Sequence, residues 1–126
     1  MENNIQIIIE NIKKSGKYGD TPVFSKSQIE DWEYDLNFQF PEDFKTLVTT
    51  LEPEIVNFYF VKPQRHSKKN HYIVFAEWTD DLFAFNEKDL SVVTLLNDND
   101  SGKTWKNFTE WMEYVWNMSN KPINPE

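Results

Sequence analysis

An α+β domain is predicted: N-terminal helices, an antiparallel sheet of about four or more strands, and a C-terminal helix. Three observations carry this. Apolar residues recur at helical spacing up to Leu51. After Pro53 the period becomes strand-like, rich in β-branched and aromatic residues. Helical spacing then returns from Phe108 to Val115. This order places the helices on one face of the sheet and leaves the other for water or a partner.

The elements follow in order. Ile5, Ile8, Ile9 and Ile12 share a helix face, Lys13 and Lys14 suit its negative end, and Gly16 suits the residue after it. Residues 15–24 read as a loop. Ser27 and Glu30 form an S-x-x-E capping box for a helix over 27–36, with Ile29, Trp32 and Leu36 on one face. Pro41 suits the first position of the next helix, and Glu42 and Asp43 its positive end. Phe44, Leu47, Val48 and Leu51 form its buried stripe, and Pro53 helps to end it. Strands are expected over 55–61, 72–78, 82–86 and 91–96. A long loop containing Pro63 joins the first two. Short turns at Thr79-Asp80-Asp81 and Glu87-Lys88-Asp89 make the last three an antiparallel meander. Residues 97–102 read as a polar turn. Asn107 and Glu110 fit a helix cap, and Phe108, Trp111, Met112 and Val115 share the face that follows. Residues 121–126 carry two prolines and read as a frayed tail.

A length of 126 residues fits one domain, and the absence of cysteine excludes disulfide and thiolate chemistry. The first residues lack the basic and apolar runs of a signal peptide, so a cytoplasmic protein without membrane contact is expected. The net charge of −8 repels nucleic acid and attracts basic partners. Three glycines are few for a phosphate-cradling loop. Segment 62–71 holds Lys62, Arg65, Lys68 and Lys69 with no acid, and reads as a mobile hairpin loop. Ten phenylalanines, five tyrosines and five tryptophans are many for this length; most must fill the core, and some are expected on a binding face.

No catalytic, cofactor or metal motif stands out. Asp80, Asp81 and Glu77 lie together, but acid–base work needs environments that push paired carboxylates apart, and adjacent turn residues both face water. Asp98 and Asp100 have the spacing of two calcium ligands, yet Gly102 comes one place early and the twelfth residue is Thr109. His66 and His71 lack zinc-spaced neighbours. Gly102-Lys103-Thr104 lacks the upstream glycine of a phosphate loop. The aromatic strands could stack bases, but Glu77, Asp80, Asp81, Glu87 and Asp89 flank them, which disfavours nucleic acid. These five acids are the expected partner-binding field, with Trp78 and Tyr59 as exposed anchors.

Leu36-Asn37-Phe38-Gln39-Phe40-Pro41-Glu42-Asp43-Phe44 resembles the helix–turn–helix segment of the SUKH superfamily, of fungal cell-wall-assembly regulators and bacterial toxin-immunity proteins. Residues 72–85, YIVFAEWTDDLFAF, resemble that family's strand–acidic turn–strand unit, and Asn107-Phe108-Thr109-Glu110-Trp111 its closing helix start. The resemblance spans about residues 25–117. Asn37 stands where glycine is usual, and asparagine also enters left-handed turns. The glycine-rich turn usual after the second helix is replaced by Leu51-Glu52-Pro53-Glu54. The resemblance implies one domain over 1–126 and a non-enzymatic immunity protein, monomeric or weakly dimeric. Such a protein neutralises a cognate toxin, often a basic nuclease. The alternatives are a regulatory interaction scaffold of the same family and a small enzyme using Glu77 or Asp81.

Overall fold

The computed structural model describes residues 4–79, 81–96 and 99–119. Helix α1 (Asn4–Ser15) is followed by the short strand β1 (Tyr18–Gly19), α2 (Lys26–Leu36), α3 (Glu42–Val48) and the short strand β2 (Glu52–Pro53). Then come β3 (Phe58–Arg65), β4 (Tyr72–Trp78), β5 (Asp81–Asn86), β6 (Val92–Leu96) and β7 (Asn99–Trp105), closed by α4 (Phe108–Ser119). Strands β3 to β7 form one antiparallel sheet in chain order, while β1 and β2 pair separately. The α+β reading holds, with a fifth strand where a polar turn was expected.

Each local departure has a cause. The capping box of α2 is Ser25 with Gln28, two residues before the expected pair. The Ser25 hydroxyl accepts from the Gln28 N–H at 3.1 Å, and Gln28 Oε1 accepts from the Ser25 N–H at 2.9 Å. Both serines match the pattern. The earlier start puts Phe24 and Ile29, both buried, at the two positions of a hydrophobic staple. The helix ends in a Schellman turn at Asn37, left-handed at φ 52°, with the Phe38 N–H reaching the Glu33 carbonyl at 3.2 Å. Glu33 reinforces the turn: its carboxylate accepts from the Phe40 N–H at 2.9 Å and pairs with Lys45 at 3.2 Å. Burial works against the Lys45 ammonium, but its bonds to Glu42 and Glu33 raise its pKa overall.

Pro41 caps α3 from outside the first turn instead of occupying it. That helix is over by Thr49, so Pro53 does not end it; Pro53 pairs with Tyr18 in the small sheet. Strand β3 starts late because Asn57 is left-handed at φ 62°. It then continues through Pro63 in a bulge between Phe60 and Gln64, which an edge strand tolerates. The expected loop over 62–71 therefore shrinks to 66–71. His66 is buried there, its Nδ1 accepting from the Lys68 and Lys69 N–H groups at 3.1 Å each. Strand β7 carries no apolar alternation before Trp105, so hydropathy hides it. The tail 121–126 lies outside the described residues.

The core lies between the helices and one sheet face. Phe75 and Phe85 stack at 4.2 Å, and Phe44, Phe108 and Trp111 meet them from α3 and α4. A bulge between Val74 and Ala76 turns Phe75 and Ala76 together toward the helices. Trp111 is fully buried, with rings of Phe75 and Phe83 at 5.0 and 5.1 Å. The opposite face carries a smaller apolar cluster of Tyr72, Ala84, Val93 and Leu95, flanked by Val74 and Leu82.

Candidate functional site

Four of the seven expected partner-binding residues meet at one end of the sheet. Glu77 pairs with Tyr59 on β3 and Leu82 on β5; Trp78 pairs with Phe58 and Asp81. Neighbours along a strand point to opposite faces. Tyr59 and Glu77 therefore look away from the helices, while Trp78 and Asp81 lie on the helix side. Tyr59 is 61% exposed and is the open anchor. Trp78 is not: it is half-buried, edge-on to Phe58 at 6.2 Å, and its indole N–H donates to the Val56 carbonyl at 3.1 Å. Asp80 lies outside the described residues.

Glu87 and Asp89 do not join this group. Consecutive turns of a meander lie at opposite ends of the sheet, and six-residue β5 separates them by about 17 Å. Glu87 instead takes both arms of Arg65, at 2.9 and 3.1 Å. Arg65 also donates to the carbonyls of Leu36, at 2.6 Å, and Asn70, at 2.7 Å. The bond from Arg65 holds the Glu87 carboxyl below its usual range. Asp89 accepts from the Ser91 hydroxyl at 2.7 Å and N–H at 3.0 Å, and the hydroxyl bond first, then the N–H, lowers its pKa. Both acids build their turn.

On the helix side, beside Trp78 and Asp81, a cleft of about 440 Å³ opens between the sheet and α4. Phe83 and Thr94 lie across from one another in β5 and β6. Trp78, Trp105 and Tyr114 supply aromatic walls, Trp105 and Tyr114 with ring centres 5.0 Å apart. Lys103 donates to the Tyr114 hydroxyl at 3.0 Å and sits 4.6 Å from that ring's centre. Thr94 is 5% exposed, and its hydroxyl has no hydrogen-bond partner among the described residues. Sequence reasoning named Trp78 and Asp81 but missed the rest of this set. Lys103 and Trp105 belong to the unrecognised β7, and Tyr114 flanks the buried face of α4. The visible signal was Lys103-Thr104-Trp105, whose alternation puts Lys103 and Trp105 on one side.

A second hollow of about 720 Å³ lies among α1, α3 and α4, with Glu42, Asp43, Glu110 and Glu113 on its lining. Asp43 is engaged there with Thr109. Among the described residues no three His, Asp or Glu side chains are grouped to hold a metal ion, and no helix is long and apolar enough to cross a membrane. No family model, curated protein or solved structure matches the chain.

Proposed function

We propose that this chain is a non-enzymatic immunity protein that binds and neutralises a cognate basic toxin, a nuclease, in the cytoplasm. One observation carries the reading beyond the family resemblance. Exposed Tyr59 is paired directly with Glu77, and Asp81 lies in the adjoining row, in a chain of net charge −8. Tyr59 and Glu77 share one face as an aromatic anchor beside a carboxylate, and Asp81 on the other face adds negative field at the same sheet end, which suits docking on a cationic protein. A nuclease is basic around its substrate groove, so an acidic inhibitor gains steered association with that groove and occludes it.

The test is coexpression with the product of the neighbouring gene. The expected result is rescue of growth from that product's toxicity, with the two proteins copurifying. A non-toxic neighbour that copurifies would replace immunity with the scaffold reading. A toxic neighbour that neither binds nor is neutralised would refute the proposal.

A further inference from the structure

The cleft beside Trp78 combines features that no structural role in the core requires. It has aromatic walls, a carboxylate at Asp81, and a buried threonine hydroxyl with no partner among the described residues. It also holds a cation of the chain's own, Lys103, against the Tyr114 ring. We propose that this cleft receives an arginine side chain of the protein partner, an inference that rests on the reading of that partner as basic.

The geometry favours a guanidinium. Asp81 pairs with Leu96 and Phe83 with Thr94, so Asp81 and Thr94 are diagonal neighbours on one sheet face. Such neighbours lie roughly 7–8 Å apart. A planar guanidinium set between them donates along one edge to the Asp81 carboxylate and, once it has displaced Lys103, from the other to Thr94 Oγ1, which is closed to water in the free protein. Its five donors and flat face also suit the indole walls, where an ammonium offers only a point charge. Lys103 holds the place of this cation in the free protein. Its side chain is exposed, and the arginine takes its place on the Tyr114 ring. Lys103 therefore competes with the ligand, whereas Asp81 and Thr94 bind it. An anionic ligand would reverse the role of Lys103.

The probe is N-acetyl-arginine N-methylamide, titrated into the full chain while the indole N–H resonances of Trp78 and Trp105 are followed. Saturable shifts of both are expected. The neutral analogue N-acetyl-citrulline N-methylamide and the variant Asp81→Asn should each weaken binding by about tenfold, the loss of one charge-assisted contact. Thr94→Val keeps the side-chain shape and should fold, yet bind the probe several-fold more weakly. Lys103→Gln should bind it more tightly. Equal binding of citrulline and arginine, weaker binding by Lys103→Gln, or saturation by adenosine or glucose in place of arginine would overturn the proposal. The probe contains no toxin, so the two readings fail separately. If arginine binds as stated and the neighbouring gene product does not, the cleft stands and immunity falls. If that product binds Thr94→Val, Lys103→Gln and the wild type equally, immunity stands and the cleft falls.

Discussion

Asp43 caps a helix that begins far along the chain. Its Oδ2 accepts from both the N–H and the hydroxyl of Thr109, at 3.0 and 2.7 Å, across 66 residues of sequence. Thr109 lies in the first turn of α4, where amides have no intrahelical partner. Asn107 takes the next one, accepting from the Glu110 N–H at 2.9 Å. Two segments far apart in sequence, the start of α3 and the start of α4, thus meet in one contact. Asp43→Ala leaves the Thr109 N–H without this acceptor and should cost about 1–3 kcal/mol. Asp43→Asn keeps an acceptor oxygen and should cost less. Urea denaturation measures both; an unchanged midpoint for the alanine variant would show that water replaces the contact without loss.

Trp111 should be the largest single contributor to the core. It is fully buried against Phe58, Phe75, Phe83 and Phe108. Trp111→Ala should cost about 3–5 kcal/mol. Its indole N–H has no hydrogen-bond partner among the described residues, so Trp111→Phe removes an unsatisfied donor along with volume. That variant should lose much less than alanine does. Equal losses would mean that a phenyl ring recovers none of the packing, so that the fit of the indole itself decides at this position.

Much of this architecture was legible because local signals agreed with tertiary demands. The isoleucine stripe of α1, the Asn37 turn and the aromatic strands each carry their own period or cap. What stayed hidden depends on non-local pairing. Strand β7 begins with Asn99-Asp100-Ser101-Gly102, which reads as a turn until β6 is known to lie beside it. The acids were legible as acids but not as a group. Tertiary pairing with Arg65 withdraws Glu87, and the pleat sends Glu77 and Asp81 to opposite faces. Trp105 and Tyr114 approach each other only when α4 folds back over β7.

The β4–β5 turn is strained at Thr79. This β-branched residue is left-handed, at φ 58°, a region that costs most side chains roughly 1–2 kcal/mol. Its N–H donates to the Asn57 carbonyl at 3.0 Å, which ties the turn to the residue before β3. Thr79→Asn keeps that N–H and tolerates the conformation. It should stabilise the protein by about 1 kcal/mol, read as a higher urea midpoint at unchanged slope. A lower midpoint would mean that the threonine hydroxyl contributes more than the strain removes.

The Arg65–Glu87 pair should make stability depend on acid. The folded-state pKa of Glu87 lies below its ordinary 4.5, and that of Asp89 below 3.8. In the window between the lowered and ordinary values the unfolded chain binds more protons, so stability rises with pH there. The contribution is fully present above the ordinary values and is lost as pH falls through the folded ones. Glu87→Gln should therefore lower stability at pH 7, and its difference from wild type should shrink in acid. Glu87 is partly exposed, so salt screening keeps the effect modest. A difference that grows in acid would reverse the assigned sign.

The split of the acids between the two sheet ends sets the expected binding kinetics. Glu77 lies beside exposed Tyr59, with Asp81 in the next row on the opposite face of the same sheet end, whereas Glu87 is neutralised by Arg65 at the far end. Charge around an interface chiefly sets the association rate and its salt dependence, while a desolvated anchor sets dissociation. The double variant Glu77→Gln/Asp81→Asn should slow association with the basic partner, most clearly at low salt. Tyr59→Ala should speed dissociation and leave the salt dependence intact. Glu87→Gln is the internal control, and its association rate should match wild type. Trp78→Ala is a poor probe of the interface, because its indole also closes the loop at Val56 and packs on Phe58. Stopped-flow association across a salt series decides the matter. If Glu87→Gln slows association as much as the double variant, the partner senses only overall charge. If none of these variants changes either rate, binding lies elsewhere, and the acidic hollow among α1, α3 and α4 becomes the surface to mutate, beginning with Glu110 and Glu113.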